Sequence, residues 1–96
     1  GKGPKGRAPR ILPKHVYGGT ALAWHPTKAG VIATGDGAGM VRIWDVAKGA
    51  PEKPMPPMKR IKSYSSSEVR FILWDSTGNN LVVCHADGAI YQESIA

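Results

Sequence analysis

The run Ala33-Thr34-Gly35-Asp36-Gly37-Ala38-Gly39-Met40-Val41-Arg42-Ile43-Trp44-Asp45 passes from an apolar, β-branched stretch through a glycine-studded turn. It then enters an alternating stretch that ends in an aromatic-acid pair. Three glycines at alternate positions between two β-prone segments leave room for little but a tight hairpin. Gly35, Gly37 and Gly39 are expected to supply the positive φ that such a turn needs. A second passage is built the same way, with an Asp87-Gly88 turn between Leu81–Cys84 and Ala89–Ile95. Trp24 and Trp74 lie fifty positions apart, and Thr27 and Thr77 keep the same offset. An internal repeat of strand-turn-strand units points to like sheets stacked on one another.

The strands can be placed in order. Arg10 to Val16 reads as an edge strand in which Pro13 is tolerable, because an edge need not donate every N–H. Thr20 to Trp24 alternates, with Leu22 and Trp24 on one face and the small Ala21 and Ala23 on the other, as a crowded inner strand requires. Val31 to Thr34 has the composition of a strand covered on both faces, and Met40 to Trp44 returns beside it. Pro51, Pro54, Pro56 and Pro57 break any regular element and mark a loop. Met58 to Tyr64 is expected as a fourth, outer strand whose Lys59, Arg60 and Lys62 protect an exposed edge. The second unit repeats the order from Glu68 to Trp74 onward, and no fourth strand follows it before Ala96.

The Trp44-Asp45 ending, the glycine turn before it and Ala21-Leu22-Ala23-Trp24-His25-Pro26 together resemble a WD repeat. That resemblance implies an all-β fold of two four-stranded antiparallel blades of a β-propeller, the second lacking its outer strand. It divides the chain into a basic flexible arm at 1–9, a first repeat with its following outer strand at 10–64, and a second, incomplete repeat at 65–96. A blade takes roughly 40 to 45 residues and a ring 4 to 8 blades. Two blades do not close a ring, so the chain is expected to be a fragment, either of a longer propeller or of one completed by other chains. In the family a His, a hydroxyl, an Asp and a Trp form a hydrogen-bonded tetrad. The resemblance implies His15, Thr34 and Trp44 for the first repeat, where Ala38 falls at the Asp position and Asp36 is the nearest substitute. In the second repeat Asp87 occupies the Asp position, while Ser65 and Glu93 stand where His and Trp are usual. Trp24-His25-Pro26 and the Gly35–Gly39 turn are also similar to the repeats of dynein intermediate chains.

Charge narrows the expected partners. The chain carries a net +6, and Lys2, Lys5, Arg7, Arg10 and Lys14 fall within a stretch that contains no acid. Such an arm suits an acidic protein surface or a phosphate backbone, although no aromatic stacking residue precedes Tyr17. A lone Cys84 excludes an internal disulfide, and no apolar run is long enough to span a membrane. The expected location is intracellular, and the resemblance to dynein intermediate chains implies cytoplasm, cytoskeleton or cilium rather than nucleus. Adjacent Cys84 and His85 point to opposite faces of a strand, with Cys84 expected in the core and His85 as its exposed neighbour. No His or Cys spacing supports a metal site, the glycine runs lack the strand-to-helix context of a phosphate loop, and no nucleophile has a positioned base. Neither catalysis, a cofactor nor a small-molecule substrate is expected.

The function expected is a protein-interaction scaffold within a multiprotein assembly, a dynein motor complex being the one the resemblance implies. Contacts are assigned to Lys2, Lys5, Arg7 and Arg10 in the arm and to Pro54, Met55, Lys59, Arg60 and Lys62 at the blade rim. The competing expectation is a nucleic-acid-associated propeller subunit, in chromatin or ribosome assembly, that uses the basic arm.

Overall fold

The computed structural model describes residues 17–46 and 57–95. They form seven strands: β1 (Gly19–Trp24), β2 (Val31–Asp36), β3 (Val41–Asp45), β4 (Lys59–Ile61), β5 (Val69–Trp74), β6 (Asn80–His85) and β7 (Ile90–Ser94). The first four make one antiparallel sheet in the order β1-β2-β3-β4, and the last three make a second in the order β5-β6-β7. The expected strand Arg10 to Val16 lies outside the described residues. The expected outer strand is shorter than Met58 to Tyr64. Only Lys59, Arg60 and Ile61 pair with β3, opposite Ile43, Arg42 and Val41.

Each hairpin is closed by its own side chain. In the β2–β3 turn, Asp36 Oδ1 accepts the Ala38 and Met40 N–H groups, each at 2.9 Å. In the β6–β7 turn, Asp87 Oδ1 accepts the Ala89 N–H at 3.0 Å. Between β5 and β6, Asp75 accepts from Thr77 Oγ1 at 2.7 Å, the Gly78 N–H at 2.9 Å and Asn80 Nδ2 at 2.7 Å. These bonds, that from Asn80 foremost, favour the charged carboxylate and hold Asp75 at about 2, below its ordinary 3.8. A folded-state value below the unfolded one means that the turn gains stability above pH about 4 and loses it as pH falls towards 2. The Gly78 amide resonance should therefore titrate with a midpoint near 2. A midpoint at 3.8 would mean that the carboxylate holds none of these donors.

The glycines divide into two roles, which corrects the expectation for the first hairpin. Of Gly35, Gly37 and Gly39, only Gly39 has a positive φ, +86°. Gly35 is a β2 residue, and a Cβ there would lie 2.6 Å from Val69 Cγ1. Gly37 passes the Tyr17 carbonyl oxygen, which a Cβ would meet at 2.7 Å. Close approach of neighbouring chain, not a left-handed backbone, requires glycine at these two positions.

Val31, Ala33, Val41, Ile43 and Ile61 of the first sheet pack against Val69, Ile72, Leu81 and Val83 of the second. Strand alternation places His85 on the same face as Leu81 and Val83, so it is 2 % exposed, whereas Cys84 is only half-buried. The expected assignment of Cys84 to the core and His85 to solvent is thus reversed. Burial is tolerated because both ring nitrogens are bonded. Nδ1 lies 2.7 Å from the Ser67 carbonyl oxygen and Nε2 lies 2.6 Å from the Tyr91 hydroxyl.

Candidate functional site

The two sheets repeat each other closely. β1 shifts register against β2 between Gly19 and Ala21, and β5 shifts against β6 between Val69 and Phe71. The hairpins close alike, with Asp36 N–H donating to Met40 O at 3.1 Å and His85 N–H to Ala89 O at 2.9 Å. Leu22 and Trp24 therefore correspond to Ile72 and Trp74, Ala21 and Ala23 to Phe71 and Leu73, and Val41 to Ile90.

This correspondence shows how the sheets meet. The first sheet offers the face that holds Ala21, Ala23 and Val41, and the second offers the opposite kind of face, with Ile72 and Trp74. The packing is head to tail. Trp74 Nε1–H donates to the Ala23 carbonyl at 2.9 Å and Thr20 Oγ1–H to the Val69 carbonyl at 2.6 Å. His25 takes the third bridge. Its Nδ1 accepts the Thr27 and Lys28 N–H groups at 3.1 and 2.9 Å, which leaves Nε2–H to donate to Gly78 O at 3.0 Å. Its ring lies 4.6 Å from that of Trp74.

The face of each sheet that the other does not cover is the candidate site. On the first sheet the exposed part is the β1 edge, where Leu22 is 64 % exposed and Trp24 is 58 % exposed, while Ile32 and Trp44 on the same face are buried; on the second Phe71, Leu73 and Ile90 are 65 %, 63 % and 67 % exposed. Each large apolar side chain left in water forgoes roughly 1.5–3 kcal/mol of burial, and clusters of them mark interaction surfaces. A groove of about 410 Å³ runs beside Leu22, lined by Gly19, Thr20, Ala21, Leu22 and Thr34. Phe71, Leu73 and Ile90 were not singled out from sequence. The signal was there in Val69 to Trp74, where apolar residues fall on both faces of one strand.

The residues assigned from sequence scatter over the molecule. Trp44 Nε1–H donates to Thr34 Oγ1 at 2.8 Å, joining two neighbouring strands of the first sheet. Asp36 remains with its own hairpin, its Oδ2 lying 3.8 Å from an Arg42 guanidinium nitrogen. Asp87 belongs to the other sheet and accepts Ser65 Oγ–H at 2.8 Å. The Ala89 N–H and this hydroxyl hold its carboxyl below the ordinary range. Glu93, at the Trp position of the second unit, accepts the Tyr64 hydroxyl at 3.1 Å, which pushes that phenol up. Lys59 Nζ donates to the Ile95 carbonyl at 3.2 Å, Lys62 lies 5.1 Å from the Tyr64 ring centre, and Arg60 is exposed on β4. His15, Lys2, Lys5, Arg7, Arg10, Pro54 and Met55 lie outside the described residues.

A run of short antiparallel strands whose like sheets stack front to back is the arrangement of propeller blades. Residues 6–45 match the WD domain, G-beta repeat family. The matched residues take in β1, β2 and β3 of the first sheet. The computationally designed Ika4 protein, known from its crystal structure, superposes on 88 % of the chain with a TM-score of 0.67 at 21 % sequence identity. The chain spans 46 % of that protein's length, and the likeness concerns the fold alone. No curated protein matches the sequence. WD repeats serve in general as non-catalytic modules that bind other proteins.

Proposed function

We propose that the chain supplies two blades of a β-propeller that acts as a protein-interaction scaffold in a larger assembly. The observation that carries this reading is the pair of exposed apolar patches, Leu22–Trp24 on β1 and Phe71–Leu73–Ile90 on the second sheet, each standing where the other sheet has residues packed between the two. A sheet with both broad sides apolar stays dry only between further sheets. With the faces covered by blades, rims and loops remain for partners, among them the cationic β4 edge at Lys59, Arg60 and Lys62. Trp24-His25-Pro26 and the glycine turn, which resemble dynein intermediate chains, make a motor-complex subunit in cytoplasm or cytoskeleton the first partner to assay.

The test replaces Arg60 and Lys62 with glutamate and measures capture of defined protein partners, a dynein heavy-chain segment first, alongside RNA and DNA at low and high salt. Loss of protein binding of roughly 10-fold or more, with no salt-sensitive nucleic-acid binding, is expected. Tight nucleic-acid binding that falls steeply with salt and disappears on deletion of residues 1–10 would replace the scaffold with the chromatin or ribosome-assembly reading.

A further inference from the structure

The two exposed patches, Leu22–Trp24 along β1 and Phe71–Leu73–Ile90 on the second sheet, are not merely apolar; they hold the places of the two halves of an interface that already exists once inside the chain. The Leu22–Trp24 face is the counterpart of the Ile72–Trp74 face, which seats on the first sheet. The Phe71–Leu73–Ile90 face is the counterpart of the Ala21–Ala23–Val41 face, which receives it. What fits the second of these open faces is therefore the first.

We propose that the Leu22–Trp24 face of one copy seats on the Phe71–Leu73–Ile90 face of a second copy of this chain, joining copies head to tail into a closed ring. The inference rests on the two-blade reading above and names the occupant of its open faces. Because the contact repeats the internal one, it predicts its own hydrogen bond. Trp74 Nε1–H donates to Ala23 O within the chain at 2.9 Å, so Trp24 Nε1–H donates to Leu73 O of the second copy. Arg42 stands where Tyr91 does in the other sheet, and Asp36 at 3.8 Å keeps its charge balanced as the face is covered. A contact between two different faces closes only by rotation, and rings of typically 4 to 8 blades call for about two to four copies of two blades each.

The experiment measures the mass of the purified full chain by native mass spectrometry and light scattering, with indole N–H exchange read by NMR. It compares the chain with Leu22→Asp, with Leu73→Asp and with an equimolar mixture of the two. Both side chains are more than 60 % exposed within one copy, so the sheets themselves tolerate the change. The wild-type chain should form a discrete ring of copies in which the Trp24 indole exchanges as slowly as that of Trp74. Each variant alone should be monomeric, its association weakened at least about 30-fold. The mixture should form a one-to-one pair, because it retains one intact face of each kind.

A wild-type assembly that either aspartate leaves intact, or a mixture that forms no pair, overturns the head-to-tail contact. A wild-type monomer with fast Trp24 exchange and slow Trp74 exchange overturns the second copy as occupant but leaves the two-blade reading standing. Fast exchange at both indoles overturns both.

Discussion

Gly39→Ala should destabilise the chain by about 3 kcal/mol or more, a larger loss than a hairpin glycine ordinarily carries. Two effects add. The φ of +86° strains any residue with a side chain, and a Cβ there runs into the Ser65 carbonyl oxygen and comes within 2.9 Å of the Ser67 carbonyl oxygen. The same Ser67 carbonyl bonds His85 Nδ1, so moving it disturbs a buried imidazole as well. Gly88 is the built-in control. It holds the matching place in the second hairpin with a φ of +94°, and nothing lies within 4 Å of its Cβ position. Gly88→Ala should cost only the backbone strain, roughly 1 kcal/mol. Urea unfolding of both variants, dilute enough to hold single copies, gives the comparison. Equal losses would show that the first hairpin does not press on the segment before β5.

Trp74→Ala should cost about 3 kcal/mol, and Trp74→Phe about 1 kcal/mol. Alanine removes the ring that packs on the core and against His25, and it strips the Ala23 carbonyl of its donor. Phenylalanine keeps most of the packing and loses only the bond. The loss should propagate to the His25–Gly78 bridge, seen as faster exchange of the His25 ring proton in the alanine variant. An alanine variant as stable as the parent would mean that the sheets are not held together at this edge.

The strand segments and turns were legible because both rest on local chemistry. Val31, Ile32 and Ala33 read as a strand covered on both faces and are at most 6 % exposed. The Asp87-Gly88 turn needs only its own side chain and the glycine φ. What could not be read are features decided by residues distant in sequence. Gly35 looks like a turn glycine until Val69 is placed against it. His85 reads as exposed beside a cysteine until Ser67 and Tyr91 supply partners that make its burial tolerable. The outer strand shrinks to Lys59–Ile61, a limit that no pattern in Met58 to Tyr64 announces. The tetrad positions rest on the resemblance to a WD repeat. The Thr34–Trp44 bond crosses adjacent strands, whereas Asp87 in the β6–β7 turn accepts Ser65 from the segment between β4 and β5.

By itself the sequence determined that the described part of this protein is a set of short antiparallel strands joined by glycine-bearing turns, repeated at an offset of about fifty residues. Alternation and turn chemistry act over a few residues and need no neighbours. Only the tertiary structure decided which face of each sheet meets the other, and hence which apolar residues are left for a partner. Ala21 and Phe71 hold the same place in their repeats, yet one is packed against the core and the other is open. That difference depends on what stands opposite each residue across the sheets, which strand alternation alone does not specify.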